Sequence, residues 1–225
     1  MTNELILLLT LFVEFTLIYI VFRLGKEWLI FHIIINMVVI GIVGAKTINV
    51  FGFVTNIGNI LYTSVFLSTH VLVESYGKKE GYRSILFTYI GMFLSLLLLY
   101  LAFLYVGHEN TKDVNKAMDV LLDMSPRIAI GASIAFLLSQ QINIWIYQYI
   151  LEKTKRRFLW IRDNVSNIFG QFLDTILFFP IAFYGVIPNE FLFQSMAMGF
   201  GIKVLCGGLG TIFLYNFIYR KAKTY

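Results

Sequence analysis

Seven apolar runs, 4–22, 28–45, 57–75, 84–106, 126–151, 164–186 and 191–218, take up most of the chain. A bilayer's hydrocarbon is crossed by about 20 helical residues at roughly 1.5 Å each, and each run comes close to that length. Within hydrocarbon a spanning segment has to pair every backbone N–H and C=O internally, so runs of this kind form helices. The expected fold class is an all-α integral membrane protein, a polytopic helical bundle. Hydrophobic residues make up 58% and charged residues 14%, which excludes a soluble domain of ordinary composition. The connections are short, so residues 1–225 read as a single integral membrane domain without a soluble module. The first run follows an acidic Met1-Thr2-Asn3-Glu4 and has no small-residue cleavage site, and so reads as a retained span.

The basic residues give the topology. Connections after runs one, three, five and seven hold Arg23 and Lys26; Lys78, Lys79 and Arg83; Lys153, Lys155, Arg156, Arg157 and Arg162; and Arg220, Lys221 and Lys223, thirteen cations in all. The opposite side has Lys46, Lys112 and Lys116, with Arg127 at a helix start and Lys203 inside a run. Such asymmetry puts the N-terminus outside and the C-terminus in the cytoplasm, and it requires an odd number of spans. The net charge of +5 is therefore topological, and no nucleic-acid partner is expected. Residues 107–125 are acidic and partly amphipathic, and read as an external loop with a short surface helix.

Three of the runs carry polar stripes. Asn56, Asn59, Thr63, Phe66, His70 and Glu74 recur at three- and four-residue steps, which on a helix is a single face. Ser133, Phe136, Gln140, Asn143 and Tyr147 share a face of the fifth span, and Asn164, Asn167, Gln171 and Asp174 share one of the sixth. Polar groups at that depth are costly against lipid tails and turn inward. They act either as hydrogen-bonding glue between helices or as the wall of a cavity for something polar. Three stripes together favour the cavity, near the midplane between spans three, five and six.

In the seventh span Gly199, Lys203, Gly207 and Gly210 fall on one face. Glycines admit a neighbouring helix closely, which presses Lys203 against it, and an acidic partner is expected, Asp174 first or else Glu74. His32 reads as a hydrogen-bonded packing residue. Glu14, alone in the first span, is open to two readings: pairing within a homodimer, or the rim of the cavity. The single cysteine, Cys206, excludes an internal disulfide and a cysteine-cluster metal site, and reads as an inert packing thiol. No cofactor is expected.

Several segments also resemble a known family. Gly58-Asn59-Ile60-Leu61-Tyr62, then Phe66-Leu67-Ser68-Thr69, then Glu74-Ser75-Tyr76-Gly77-Lys78-Lys79 is similar to the signature of the queuosine precursor transporters, also called the vitamin uptake transporter family. Arg127, Ala132-Ser133, Ala135-Phe136-Leu137, Ser139-Gln140, Trp160, Arg162, Ser166, Gly170-Gln171, Asp174-Thr175, Phe178-Phe179 and Lys203 continue the pattern in order. The resemblance implies a prokaryotic inner-membrane protein with a six-helix core, here 28–218, to which 4–22 adds an extra N-terminal transmembrane helix. Two positions depart from the family: His70 and Asn143 stand where members carry Asp, which leaves Glu74 and Asp174 as the main acids of the cavity.

The implied activity is import of a 7-deazaguanine for tRNA modification: 7-cyano-7-deazaguanine, its aminomethyl analogue, or queuine. The base edge offers two donors and an acceptor, which carboxylates and amides can satisfy. The substrate-binding set is then Asn59, Thr63, Phe66, His70, Glu74, Gln140, Asn143, Gln171, Asp174 and Lys203, with Glu74 or Asp174 reading the donor edge. Tyr62, Phe66, Phe136 or Trp145 would supply an aromatic face. No Walker-type loop occurs. Alternatives at this point are the substrate-binding subunit of an energy-coupling-factor transporter, a structural or receptor membrane protein, and an intramembrane Ser/His hydrolase. Against the last, no Gly-x-Ser-x-Gly element is present, and Ser68 points away from His70 on a helix.

Overall fold

A computed structural model describes residues 2–44, 46–123 and 125–222. Helices dominate: α1 (Asn3–Leu24), α2 (Lys26–Val43), α3 (Ile57–Tyr76), α4 (Lys78–Phe103), a short α5 (Lys112–Asp123), α6 (Ser125–Lys153), α7 (Leu159–Phe183) and α8 (Asn189–Ala222). The chain is an all-α polytopic membrane protein. Six of these helices are long and apolar enough to cross a bilayer: α1, α2, α4, α7 and most of α6 and α8.

Of the other two, α5 is too short, and α3 lies at the centre. Its 20 residues reach about 30 Å, but Asn59, Thr63, Ser64, Ser68, Thr69 and His70 make it too polar to face lipid. Every residue from Gly58 to Val73 is buried, and α1, α2, α4, α6 and α8 all pack on it. The apolar helices sheathe it. Phe12 of α1 and Phe93 and Leu98 of α4, each at least 60% exposed, form part of the lipid-facing surface, while Val65, Phe66 and Leu72 lock α3 into a core with Ile18, Leu29, Ile33, Ile144 and Leu214.

The turns between consecutive spans are abrupt. Gly25 (φ 122°) separates α1 from α2 and Gly77 (φ 88°) separates α3 from α4, and such angles are strained for residues with a Cβ. A feature absent from the sequence reading precedes α3: an antiparallel hairpin, β1 (Thr47–Val50) and β2 (Phe53–Asn56). Val50 anchors it in a small cluster with Leu7, Leu11, Ile60 and Cys206. Glu4 accepts from the Phe51 N–H at 2.9 Å, and Asn3 donates to the Asn49 carbonyl at 2.8 Å, which ties the start of α1 to the hairpin. The amphipathic helix expected in 107–125 is α5.

Helix α7 begins five residues earlier than its apolar run. Arg162, counted in the sequence as a loop charge, and its neighbour Asp163 lie in its first turns and are 2% and 3% exposed.

Candidate polar core around helix α3

Three polar clusters join α3 to α6, α7 and α8. At one end Glu74 is gripped by Arg162, whose Nε donates to Oε2 at 3.0 Å and Nη2 to Oε1 at 2.7 Å. Tyr147 of α6 donates to the same carboxylate at 2.7 Å. The remaining guanidinium nitrogen caps the carbonyls of Arg156 and Arg157 at 3.2 and 3.1 Å. Those carbonyls belong to a turn in which Lys155, Arg156 and Phe158 have positive φ, a conformation costly for non-glycine residues. Arg162 thus holds the α6–α7 connection as well as α3.

One turn further along α3, His70 sits between two acceptors. Its Nδ1 meets Asp163 Oδ1 of α7, and its Nε2 donates to Asn143 Oδ1 of α6 at 2.9 Å. Ser166 Oγ lies 3.2 Å from the same Nε2, and Thr211 of α8 donates to the other Asp163 oxygen at 2.5 Å. Four helices meet here.

The third cluster carries the expected ion pair. Lys203 Nζ of α8 lies 2.6 Å from Asp174 Oδ2 of α7 and 5.1 Å from the centre of the Tyr62 ring. Asp174 is thus the partner and Glu74 is not. The α8 glycines allow this approach: a Cβ on Gly207 would fall 1.8 Å from Asn167 Nδ2, one on Gly199 2.9 Å from Asn59 Nδ2, and one on Gly210 3.3 Å from Leu67.

All ten residues singled out from the sequence face the interior, but they are not equally engaged. Glu74, His70, Asp174 and Lys203 are tightly paired, and the Glu74 oxygens are taken by Arg162 and Tyr147. Asn59 donates to Thr55 at 3.2 Å, Thr63 donates to the Asn59 carbonyl at 3.3 Å, and Phe66 is 1% exposed. The two glutamines differ. Gln140 Oε1 receives Asn143 at 3.5 Å and Gln171 Nε2 reaches Asn167 at 3.4 Å, both long. Among the described residues Gln140 Nε2 and Gln171 Oε1 are buried without a hydrogen-bond partner, as are the hydroxyls of Ser64 and Thr88. The interior void beside these clusters, bordered by Thr63, Phe66, His70, Asp163 and Asn167, measures about 10 Å³, room for about one water.

Two expectations are corrected. Trp145 is 58% exposed and stacks on Tyr149 on the outer face, so Tyr62, Phe66 and Phe136 are the interior aromatics. Asn56 is the cap of α3, accepting from the Asn59 N–H at 2.8 Å, and belongs to no wall. Arg162, Asp163, Ser166 and Thr211 were not identified as site residues from the sequence. Stepping back four residues from Asn167 along its stripe reaches Asp163, a signal hidden because charged residues end an apolar run.

The sequence model of the family described as "Putative vitamin uptake transporter" matches residues 56–217, nearly the whole of α3 to α8. The chain belongs to this family. Among curated relatives, "Probable queuosine precursor transporter" of Bacillus subtilis (strain 168) is 30% identical over 151 residues, 64% of this chain and 63% of the relative. "Queuosine precursor transporter" of Escherichia coli (strain K12) is 26% identical over 147 residues, 64% of this chain and 62% of the relative. "Probable queuosine precursor transporter" of Haemophilus influenzae (strain ATCC 51907 / DSM 11121 / KW20 / Rd) is 27% identical over 137 residues, 60% of this chain and 55% of the relative. The chain thus spans about three fifths of the length of the curated relatives it matches. No solved structure matches it.

Proposed function

We propose that this protein is a transporter, not an enzyme, and imports a queuosine precursor, a 7-deazaguanine, across a prokaryotic inner membrane. The observation that carries the reading is the pair of orphaned amide atoms. Leaving a buried donor and a buried acceptor unmade costs about 1–3 kcal/mol each, an expense that packing alone does not explain. Gln140 Nε2 offers a donor and Gln171 Oε1 an acceptor, on two helices packed along their length. A deazaguanine supplies the complement: O6 accepts from Gln140, and the N1–H or the exocyclic amine donates to Gln171. Asp174 stands one turn from Gln171, and Phe66 and Phe136 supply apolar rings for the bicycle.

The binding set is then Asn59, Thr63, Phe66, His70, Glu74, Gln140, Asn143, Gln171, Asp174 and Lys203, with Glu74 in a positioning role through Arg162. Residues 1–225 work as one membrane domain, a six-helix core of 28–218 with the extra helix 4–22, N-terminus outside and C-terminus cytoplasmic. A void of one water cannot hold a bicyclic base, so loading requires helices to part. The names of the relatives support the substrate class, and the two orphaned amide atoms support this choice of site.

The test is uptake of labelled 7-cyano-7-deazaguanine in cells unable to make it, with and without the chain. Gln140→Leu and Gln171→Leu should be present in the membrane at normal levels and lose uptake at least tenfold. Normal uptake per folded molecule in both variants would leave these residues as packing, and the site would be wrong.

A further inference from the structure

A fourth buried polar cluster lies outside the core just described and mostly outside the family-matched segment. Glu14 of α1 is 8% exposed, His32 and Asn36 of α2 are 7% and 5%, and Ser68 of α3 is 0%. His32 Nε2 lies 3.1 Å from Glu14 Oε2, and His32 Nδ1 lies 3.1 Å from Ser68 Oγ. Asn36 donates to the same Glu14 oxygen at 3.3 Å. Glu14, His32 and Ser68 stand near the middles of their helices, deep in the apolar layer. The order carboxylate, imidazole, hydroxyl is that of a hydrolase triad. Ser68, however, is sealed in the buried stretch of α3, with no room for a substrate carbonyl.

The buried acids divide into two kinds. Glu74 and Asp174 face permanent cations, Arg162 and Lys203. Asp163 and Glu14 each face a histidine, a partner whose charge comes and goes with one proton. Among the described residues, several ionisable side chains on the packed elements are directed at partners other than Glu14. On α2 and α4, Lys26, Glu27, Glu80 and Arg83 pair among themselves. On α3, His70 turns to Asp163. On α6, Tyr147 turns to Glu74, and on α8 Lys203 turns to Asp174. Cys206 of α8 packs with Leu7 and Leu11, Tyr215 of α8 packs against the main core, and β1 carries no ionisable residue.

With Glu14 ionised and His32 neutral the cluster bears an uncompensated negative charge in an apolar interior, which is costly. One proton, on either residue, makes it neutral. When that proton sits on His32 it also reverses a hydrogen bond: Ser68 donates to a bare His32 Nδ1, but must accept from a protonated one. The cluster therefore reports its proton to α3, whose opposite face carries His70.

We propose that Glu14, His32 and Ser68 form a proton-binding site that links each movement of the transported base to movement of one proton. The inference rests on the transport reading above. The full chain, purified into liposomes, is given labelled 7-cyano-7-deazaguanine in two assays: exchange without a gradient, and accumulation driven by an acid exterior. Wild type should do both, concentrating the base severalfold. Glu14→Gln and His32→Gln should exchange within twofold of wild type yet accumulate no further than equilibrium. Accumulation by Glu14→Gln equal to wild type, or wild-type exchange with no response to the pH gradient, overturns the proposal and leaves transport standing.

Absence of exchange in wild type instead removes the transport reading. The proton site is then tested directly by titrating the detergent-solubilised protein between about pH 4 and 9, the range that covers Glu and His. Wild type should take up one proton more than Glu14→Gln, and superimposable curves reject the site. If Glu14→Gln does not fold, Glu14→Leu carries the titration and His32→Gln the transport comparison.

Discussion

Arg162 and Glu74, 88 residues apart in sequence, form a two-pronged ion pair in which both side chains are less than a tenth exposed. Bidentate geometry of this kind is the strong form of the interaction, and it brings the end of α3 against the start of α7. Removing one partner leaves the other charge buried, at a cost of about 3–5 kcal/mol. Glu74→Ala and Arg162→Ala should each sharply lower the melting temperature of the detergent-solubilised protein. Arg162→Lys should recover little, since an ammonium cannot make the fork.

The Lys203–Asp174 pair separates packing from function. Lys203→Met should destabilise by a few kcal/mol, about what stranding a buried charge costs, whereas Lys203→Met with Asp174→Leu should melt near wild type. Uptake should remain lost in the double variant. A double variant that transports normally would show the pair to be structural only.

Glycine 207 is a close-approach position. In Gly207→Ala the new methyl group meets Asn167 Nδ2 at 1.8 Å, so Asn167 must swing away from Gln171. Stability should fall by about 1–3 kcal/mol, the range for overpacking. Adding Asn167→Ala should restore part of it, and thermal melting of the two single variants and the double measures this coupling.

Gln140→Leu and Gln171→Leu each remove an unsatisfied buried atom but strand another, Asn143 Nδ2 or Asn167 Oδ1, by removing one long hydrogen bond. Each should therefore melt near the wild-type temperature, while uptake collapses. A drop of several degrees would mark the amides as helix glue.

Orientation can be read with a membrane-impermeant maleimide on intact cells, since native Cys206 is buried. Phe51→Cys, at the exposed hairpin tip, should be labelled. Arg157→Cys, in the α6–α7 turn, should react only after permeabilisation.

The helices and the inward stripes were legible because apolar length and three-to-four-residue spacing are local properties. The Lys203 partner was legible for a related reason: a charge among glycines in an apolar run has few places to go. Arg162 and Asp163 were not, because a hydropathy reading ends the helix where charge begins, while the fold extends it by burying that charge against Glu74 and His70. The hairpin was missed because its eight paired residues lie between two much louder signals. Glu14 and His32 could be seen individually but not as neighbours, since only the packing of α1 on α2 and α3 brings them together.

The tight polar packing around α3 has a consequence for the membrane that surrounds it. A membrane at rest is a charged capacitor, and an ion-conducting file of water through the bundle would discharge it. Here the buried polar groups of α3 are knitted to one another around a space no larger than about one water molecule. On the transport reading proposed above, the side chains that suit the bundle to a polar cargo also act as its insulation, keeping the membrane from leaking while no cargo is aboard.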